Sequence, residues 1–416
     1  MTSTNQLKQI SVSFEDGFWK KKAKEISTNV LARYAEEVDE QGRFPIESLQ
    51  ALAEARLLSI GIPKEKGGQG GDVKTMCAIV EELAQGCASS AMVFLMHSST
   101  MPLIGRLVSE DQYENILLPI IEGNGLGSYS MSERGSGTRL WHMDSCAVDK
   151  GDHFDIDSFK SFATSSGHSD FYLLPVRSSE TSAPNELSLF FVNGKDPDIN
   201  IIGKWNGMGL RGNCSTPVHF NHVKVPKENR LGPANIGFNF LMAYTFPPYI
   251  LGLAAVYLGI ARAAFEGARR HVCGRNFTDT QNSLVQVETI QRYMAEMKIA
   301  IEKVKHSLDR TAGLTAHLTK VFDELHAADM LDELLEKAQD DSFFMELAQL
   351  KVAACEMAIE VSNKAVQVCG GMGYKRGHVV ERAYRDARAG SLMGPSDDIL
   401  KVLIGKNLLG LKLPWK

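Results

Sequence analysis

Residues 128–138 form a segment of small, hydroxyl-bearing side chains whose composition suits ligand binding. Its main-chain N–H groups and hydroxyls can hydrogen-bond an anion or the polar edge of a ring. Further along, Arg275 carries a planar guanidinium that can hold a phosphate in two places. Gly370 and Gly371 would let the backbone lie flat against a ligand, because no Cβ intervenes. Each feature also has an ordinary interpretation, as a surface turn, a solvated arginine or a helix terminator.

Three side chains are candidates for moving a proton, and two of them have a structural alternative. His97 lies in an apolar helical stretch, where a hydrogen-bonded core histidine is the commoner interpretation. Asp397 precedes an apolar helix, as acids near the positive end of a helix dipole often do. Tyr249 carries a hydroxyl that can donate a proton. The sequence therefore leaves the catalytic residue unassigned.

The composition indicates a globular protein of two or three domains, since 416 residues exceed the usual size of one hydrophobic core. A net charge of -5 without a long basic block argues against a nucleic-acid-binding surface. Seven cysteines without metal-binding spacing predict neither a zinc site nor a disulfide framework. The sequence shows no signal peptide and no uninterrupted apolar run of membrane-spanning length. We therefore expect a cytoplasmic protein that binds no metal, no nucleic acid and no membrane.

Hydrophobic periodicity divides the chain into three domains. Apolar residues recur at spacings of three and four over residues 15–121, which predicts packed helices. Over residues 127–231 the period is two, with turn-forming residues between the runs, which predicts antiparallel hairpins. The helical period then returns and continues into the C-terminal region. The expected fold is α+β, with a helical domain over residues 1–126, a β-domain over 127–237 and a helical bundle over 238–416.

Several segments together carry a family resemblance. Residues 367–373 read Gln-x-x-Gly-Gly-x-Gly, and Arg-Asp-Ala follows at 385–387. The loop at 132–138 precedes a strand at 160–167 that places an aromatic residue two positions before a threonine. In their order these segments resemble motifs of the acyl-CoA dehydrogenase family, and the resemblance extends over residues 20–411. It implies an N-terminal helical domain, a middle β-barrel or sandwich, a C-terminal four-helix bundle and bound FAD.

The resemblance also implies roles for individual residues. Those expected to contact FAD are Tyr129, Met131, Ser132, Gly137, Thr138, Phe162, Thr164, Arg275, Phe277, Gln367, Gly370, Gly371, Ser396 and Asp398. Thr138, Tyr249 and Gly394 are expected to face an acyl thioester substrate. In the family, the segments that match Arg275 and Gln367 reach the FAD of a neighbouring subunit. This predicts a homo-oligomer, either a dimer or a tetramer.

The residue that the family normally uses as its base is missing. Gly394 stands where the family usually places a glutamate that removes the α-proton of the substrate, and a glycine cannot accept a proton. Some members carry the base on the first long helix after the β-domain. Residues 244–251, which match that position, contain no carboxylate. The usual base is thus absent from both places.

Three functions remain open at this point. The first is an FAD-dependent dehydrogenase or oxidase of an acyl thioester, carried by CoA or a carrier protein, with a non-standard or absent base. The second is a flavin-dependent monooxygenase, and the third is a non-catalytic flavin-binding or interaction protein. An enzyme of this kind would exchange electrons with an electron-transfer partner or a flavin reductase. Residues 314–341 form an added acidic amphipathic segment, either a solvated helical face or a modified subunit contact.

Overall fold

The structure is a computed structural model that describes residues 14–137, 139–276 and 283–415. Its N-terminal domain is helical. The helices are α1 Phe14–Ile26, α2 Ala32–Gln41, α3 Ile46–Glu54, α4 Val73–Gly86, α5 Ala88–Ser98, α6 Met101–Leu107 and α7 Leu118–Ile121. Asp72 begins α4 by accepting a hydrogen bond from the Thr75 N–H at 3.0 Å, which caps the first turn. Every residue of α5 is buried, so this helix lies in the core.

The middle domain consists of two four-stranded sheets packed face to face. The strands are β1 Gly127–Tyr129, β2 Ala147–Asp149, β3 His153–Ala163, β4 Phe171–Arg177, β5 Leu187–Asn193, β6 Ile199–Ile201, β7 Thr216–Pro226 and β8 Arg230–Leu231. The sheet orders are β1-β4-β5-β8 and β2-β3-β7-β6. A separate apolar cluster, including Phe154, Tyr172, Phe190 and Phe220, fills the space between the sheets. The strands pair antiparallel as expected, except that β1 pairs parallel with β4, since it joins that sheet directly from the helical domain.

The C-terminal domain is again helical. Its helices are α8 Gly237–Tyr244, α9 Phe246–Gly274, α10 Glu288–Ala327, α11 Leu331–Ala338, α12 Asp341–Cys369, α13 Gly371–Tyr374, α14 Val379–Arg388 and α15 Asp397–Leu408. One apolar cluster includes helices of both the first and the third domain, so those two domains share a core. The α–β–α order and the α+β class predicted from periodicity are confirmed.

Helix α9 lies at the centre of this shared core. By length and composition it could cross a membrane, which was not predicted from the sequence. However, 83% of its most apolar stretch is buried inside the protein. Burial of that extent is typical of the core helix of a soluble protein.

Residues 314–341 form the end of α10 and the whole of α11, which turn back against the rest of the protein. Leu334 of α11 is fully buried. Arg106 of α6 donates to Asp323 of α10 through Nη2 at 2.7 Å. The added segment is therefore partly packed rather than a wholly solvated face.

Helix α14 connects all three domains near its C-terminal end. Arg385 donates from Nη1 to Asp39 Oδ1 of α2 at 2.8 Å. The next residue, Asp386, accepts a hydrogen bond from the Leu210 N–H of the β-domain at 2.7 Å. Because Asp386 is buried and held by this bond, the segment that follows α14 has a defined position.

Candidate functional site

A cavity of about 510 Å³ lies where the three domains meet. The loop after β1, the end of β3, the start of α9 and the segment between α14 and α15 all contribute to its walls. It brings together eight of the residues singled out from the sequence, namely Tyr129, Met131, Ser132, Gly137, Phe162, Thr164, Tyr249 and Gly394.

The β-domain wall presents an aromatic ring to the cavity. The register of β3 with β7 shifts between Lys160 and Ala163, and irregularities of this kind re-aim side chains at functional sites. Lys160 is fully buried, whereas Phe162 is 60% exposed. The Phe162 ring lies edge-on to Trp205, with 6.5 Å between the ring centroids. An exposed aromatic side chain in a cavity wall is a surface against which a flat ring can stack.

Polar atoms beside this ring have few partners within the protein. Thr164 Oγ1 lies 3.4 Å from Ser215 Oγ, at the limit of a hydrogen bond. The Oδ1 atom of buried Asn213 has no hydrogen-bond partner among the described residues. Since buried polar atoms are normally hydrogen-bonded, this wall fits a flat aromatic ligand with a polar edge. The isoalloxazine ring of FAD has that chemistry.

Another part of the cavity wall, the segment carrying Gly394, is held by Lys351 of α12. Lys351 is fully buried, and its Nζ donates to the Gly390 carbonyl at 2.8 Å and to the Pro395 carbonyl at 3.0 Å. It also lies 2.8 Å from Asp397 Oδ1. The sequence reasoning missed this residue. The available signal was a single lysine within an apolar helical stretch, since lysines are almost never fully buried unless they are paired.

Gly394 leaves open space at the cavity wall. A Cβ added there would meet nothing closer than Ser132 Oγ, at 3.8 Å, which is ordinary van der Waals contact. A Cβ at this position would therefore be accommodated without moving its neighbours.

Tyr249 contacts the same segment from the first turn of α9. Pro247 and Pro248 begin the helix, where a missing N–H costs nothing and the fixed φ angle suits a helical start. The Tyr249 hydroxyl donates to the Gly394 carbonyl oxygen at 2.8 Å. Burial raises the pKa of this hydroxyl well above its ordinary value, with a smaller effect from Cys355, so it stays protonated.

Among the described residues that line the cavity, Glu133 is the only carboxylate, and its oxygens are occupied. It lies 2.7 Å from Lys160 Nζ and accepts hydrogen bonds from the Asp144 N–H and from Ser145. Burial would raise the pKa of Glu133, but the charge and hydrogen bond of Lys160, with the bonds from Ser145 and Asp144, lower it to about 2. A carboxylate so strongly held in its charged form is a poor proton acceptor.

Two other candidate proton carriers lie outside this wall. His97 accepts from the Gly127 N–H through Nδ1 at 2.9 Å, while Nε2 donates to the Leu58 carbonyl at 2.6 Å. Burial lowers the pKa of His97 to about 4, so the ring is neutral and both nitrogens are used. This arrangement favours the core interpretation. Asp397 is buried against Lys351 and does not line the cavity.

The remaining sequence candidates lie elsewhere. Arg275, Gln367, Gly370 and Gly371 are exposed and do not line the cavity of their own chain. Ser396 and Asp398 lie at the start of α15, also outside the lining. Thr138 and Phe277 lie outside the described residues.

Comparison with known proteins gives one family over nearly the whole chain. Residues 15–124 match the acyl-CoA dehydrogenase N-terminal domain, residues 128–223 the middle domain and residues 235–409 the C-terminal domain.

Individual relatives agree with this result. The short-chain specific acyl-CoA dehydrogenase of Clostridium acetobutylicum is 29% identical over 92% of this chain and 94% of its own. Subunit CarC of the caffeyl-CoA reductase-Etf complex of Acetobacterium woodii is also 29% identical, over 93% of this chain and 94% of its own. The structure of butyryl-CoA dehydrogenase from Megasphaera elsdenii superposes with a TM-score of 0.83 at 26% identity, covering 96% of this chain and 99% of that one. FAD is the cofactor, and the chain belongs to the acyl-CoA dehydrogenase family.

Proposed function

We propose that this protein is an FAD-dependent oxidoreductase that acts on an acyl thioester, linked to CoA or to a carrier protein, without a carboxylate base at either of the family's positions. The observation that carries the proposal is the part of the cavity wall formed by Gly394 and Tyr249. The resemblance would place a carboxylate at Gly394 or within the segment 244–251, which includes Tyr249, and Glu133 is paired with Lys160. The cavity thus keeps the residues expected to face the flavin, but it lacks the free carboxylate that the family usually presents to the substrate.

The direction of electron flow is open for a member of this family. One relative is named a dehydrogenase and another a subunit of a reductase-Etf complex, so both directions occur among similar chains. We propose that this protein likewise exchanges electrons with an electron-transfer partner or a flavin reductase. Its location is proposed to be the cytoplasm.

The protein is also proposed to be a homo-oligomer, either a dimer or a tetramer. Arg275, Gln367 and the exposed glycines at 370 and 371 lie away from the cavity of their own chain. If a second chain packed against this surface, these residues of the first chain would contact the cofactor of the second chain.

The test is to purify the protein and titrate it without oxygen. We expect a yellow protein whose flavin absorption shifts when acyl-CoA or enoyl-CoA esters bind, and whose flavin changes redox state with at least one of them. Colourless protein that takes up no FAD would overturn the proposal, as would flavin whose spectrum no thioester alters.

A monooxygenase is the second candidate, and one observation favours it. Apart from Glu133, the described residues lining the cavity include no carboxylate, and a site for oxygen activation has no need of one. In that case thioesters would leave the flavin oxidised. Reduction by a flavin reductase followed by oxygen would instead give the absorption band of a flavin hydroperoxide before the yellow colour returned.

A further inference from the structure

Tyr249 is placed to exchange a proton with a ligand in the cavity. Its ring belongs to the cavity wall, and its hydroxyl meets the Gly394 carbonyl at 2.8 Å. This contact joins Gly394 to the segment 244–251, and these are the two places from which a family member is expected to present a base. A substrate carbon lying there would therefore face a phenolic hydroxyl rather than a carboxylate.

The other hydroxyls of the described lining are less suited to this role. The Tyr129 hydroxyl donates a hydrogen bond to Met131 Sδ at 2.7 Å. Ser132, Ser161, Thr164 and Ser215 are aliphatic hydroxyls, which are far weaker acids than a phenol. Of these groups, Tyr249 is the phenol whose hydroxyl contacts the segment carrying Gly394.

The protonation state of Tyr249 determines the direction of the transfer. The titratable groups described around it are Tyr129, Tyr257 and Cys355, all uncharged and buried. Tyr129 lies edge-on to it, with 6.2 Å between the ring centroids. The described cations of this region are engaged elsewhere: the Lys351 ammonium donates to the carbonyls of Gly390 and Pro395 and pairs with Asp397, and the Arg134 guanidinium lies over the Phe159 ring. The hydroxyl can therefore give up its proton to a carbanion-like carbon, but it cannot remove the weakly acidic α-proton of a saturated thioester.

Resting on the proposed function, we infer that Tyr249 is the proton donor in the reduction of an α,β-unsaturated acyl thioester. The β-carbon receives a hydride from reduced FAD, and the α-carbon receives the proton from the Tyr249 oxygen. The carbon–carbon double bond becomes a single bond and FAD is left oxidised by two electrons. Solvent returns a proton to the tyrosinate, and an electron-transfer protein or reduced nicotinamide returns two electrons to FAD.

The geometry of the hydroxyl suits this role. The Gly394 carbonyl holds the Tyr249 oxygen at the wall. Rotation about the Cζ–Oη bond redirects the proton towards the cavity without moving the ring. The Gly394 contact thus serves to position the donor.

The matched variants are Tyr249→Phe and Tyr257→Phe. Both tyrosines are buried in α9, and both hydroxyls contact the segment before α15, that of Tyr257 through Met393 Sδ at 3.2 Å. Tyr257 does not line the cavity, so its variant reports the structural effect of losing a buried hydroxyl.

The experiment mixes dithionite-reduced protein anaerobically with a series of 2-enoyl-CoA esters, beginning with crotonyl-CoA, in D₂O. We expect the wild-type flavin to reoxidise in a single turnover and the saturated product to carry one deuterium on the α-carbon by NMR. Tyr249→Phe should slow reoxidation by about 10²-fold or more, the contribution of one positioned acid. Tyr257→Phe should stay close to wild type.

Binding is measured separately, from the shift of the flavin spectrum when the same esters are added to oxidised protein. We expect similar dissociation constants for the wild type and both variants. If esters bind but Tyr249→Phe reoxidises as fast as the wild type, the assignment of Tyr249 is wrong while the proposed function stands. If esters bind and the wild type transfers no hydride to any of them, the reductive direction is wrong. If none binds, both proposals fail.

Discussion

Lys351 and Asp397 form a buried ion pair with 2.8 Å between Nζ and Oδ1, although one lies within α12 and the other begins α15. The same ammonium group donates to the carbonyls of Gly390 and Pro395. A charge that is removed from water must be compensated by several partners, and here the partners are the backbone around Gly394. The shape of the cavity wall thus depends on a side chain that does not line it.

Replacement of Lys351 by methionine should destabilise the protein. The substitution leaves the Asp397 carboxylate and two carbonyls without their donor, which costs about 3–5 kcal/mol. The free energy of unfolding in urea measures the loss. Lys401→Met is the control, because Lys401 is half exposed and pairs with Glu356 on the surface, where an ion pair contributes about 0–1 kcal/mol. Equal losses in the two variants would contradict the buried role of Lys351.

Replacement of Gly394 by glutamate should create a base for dehydrogenation. The first carbon of the new side chain is accommodated, with Ser132 Oγ at 3.8 Å as the nearest atom. We expect the flavin to be bleached by saturated acyl-CoA esters at least about 10²-fold faster than in the wild type, the usual contribution of a positioned base. Gly394→Ala fills the same space without a carboxylate and should show no gain. If Gly394→Glu folds, retains FAD and is no faster than Gly394→Ala, the missing carboxylate does not limit the reaction.

Phe162→Ala should weaken FAD binding. The ring is 60% exposed and lines the cavity, so it offers a surface against which a flat ring can stack. Loss of one stacking surface should raise the dissociation constant of FAD about tenfold, equivalent to about 1.4 kcal/mol. Fluorescence titration of the apoprotein with FAD gives this value. Phe18→Ala is the control, because Phe18 is 55% exposed in α1 and does not line the cavity. An unchanged dissociation constant for Phe162→Ala would exclude the ring as part of the FAD site.

His97 should make the protein less stable in mild acid. Burial lowers its pKa to about 4 against an ordinary value of 6.5, so between these values the unfolded chain binds a proton that the folded protein does not. The free energy of unfolding should therefore fall as the pH decreases from about 6.5 to about 4, by up to about 3 kcal/mol from this residue, and its contribution should level off below that. In His97→Gln this component disappears, whereas it persists in His317→Gln, an exposed control. An unchanged slope in His97→Gln would contradict this account.

The fold could be predicted from the sequence because its signals are local. Alternation along β3 and the period of α9 each reflect one face of one element. The parallel pairing of β1 with β4 was not predicted, since it joins residues 44 positions apart and no turn specifies it. Pairing between distant segments depends on the packing of the whole domain.

The cavity shows the same division between local and distant contacts. Residues assigned from contiguous motifs, such as Ser132 and Phe162, meet in it as the resemblance implied. The contact between Tyr249 and Gly394 spans 145 positions, and the role of Lys351 depends on carbonyls about 40 residues away. Neither follows from spacing, because backbone carbonyls are present at every position and only the fold selects which are close.

A mixed oligomer should show whether two chains share each FAD site. Phe162 lines the cavity of its own chain, while Arg275 and Gln367 are exposed and lie away from it. Homo-oligomers of Phe162→Asp, and of the double variant Arg275→Ala with Gln367→Ala, should each bind FAD poorly. In a hybrid with one chain of each kind, one site of every pair combines an intact Phe162 with an intact Arg275 and Gln367, and the other carries both defects.

We therefore expect hybrids, isolated by two different affinity tags, to regain about half of the wild-type flavin content measured by absorbance at 450 nm. The control hybrid carries the same two tags on two Phe162→Asp chains and should remain colourless. If each chain instead built its site alone, both sites of the mixed hybrid would keep one defect. Flavin content in the mixed hybrid no higher than in the control would then contradict a site shared across the subunit interface.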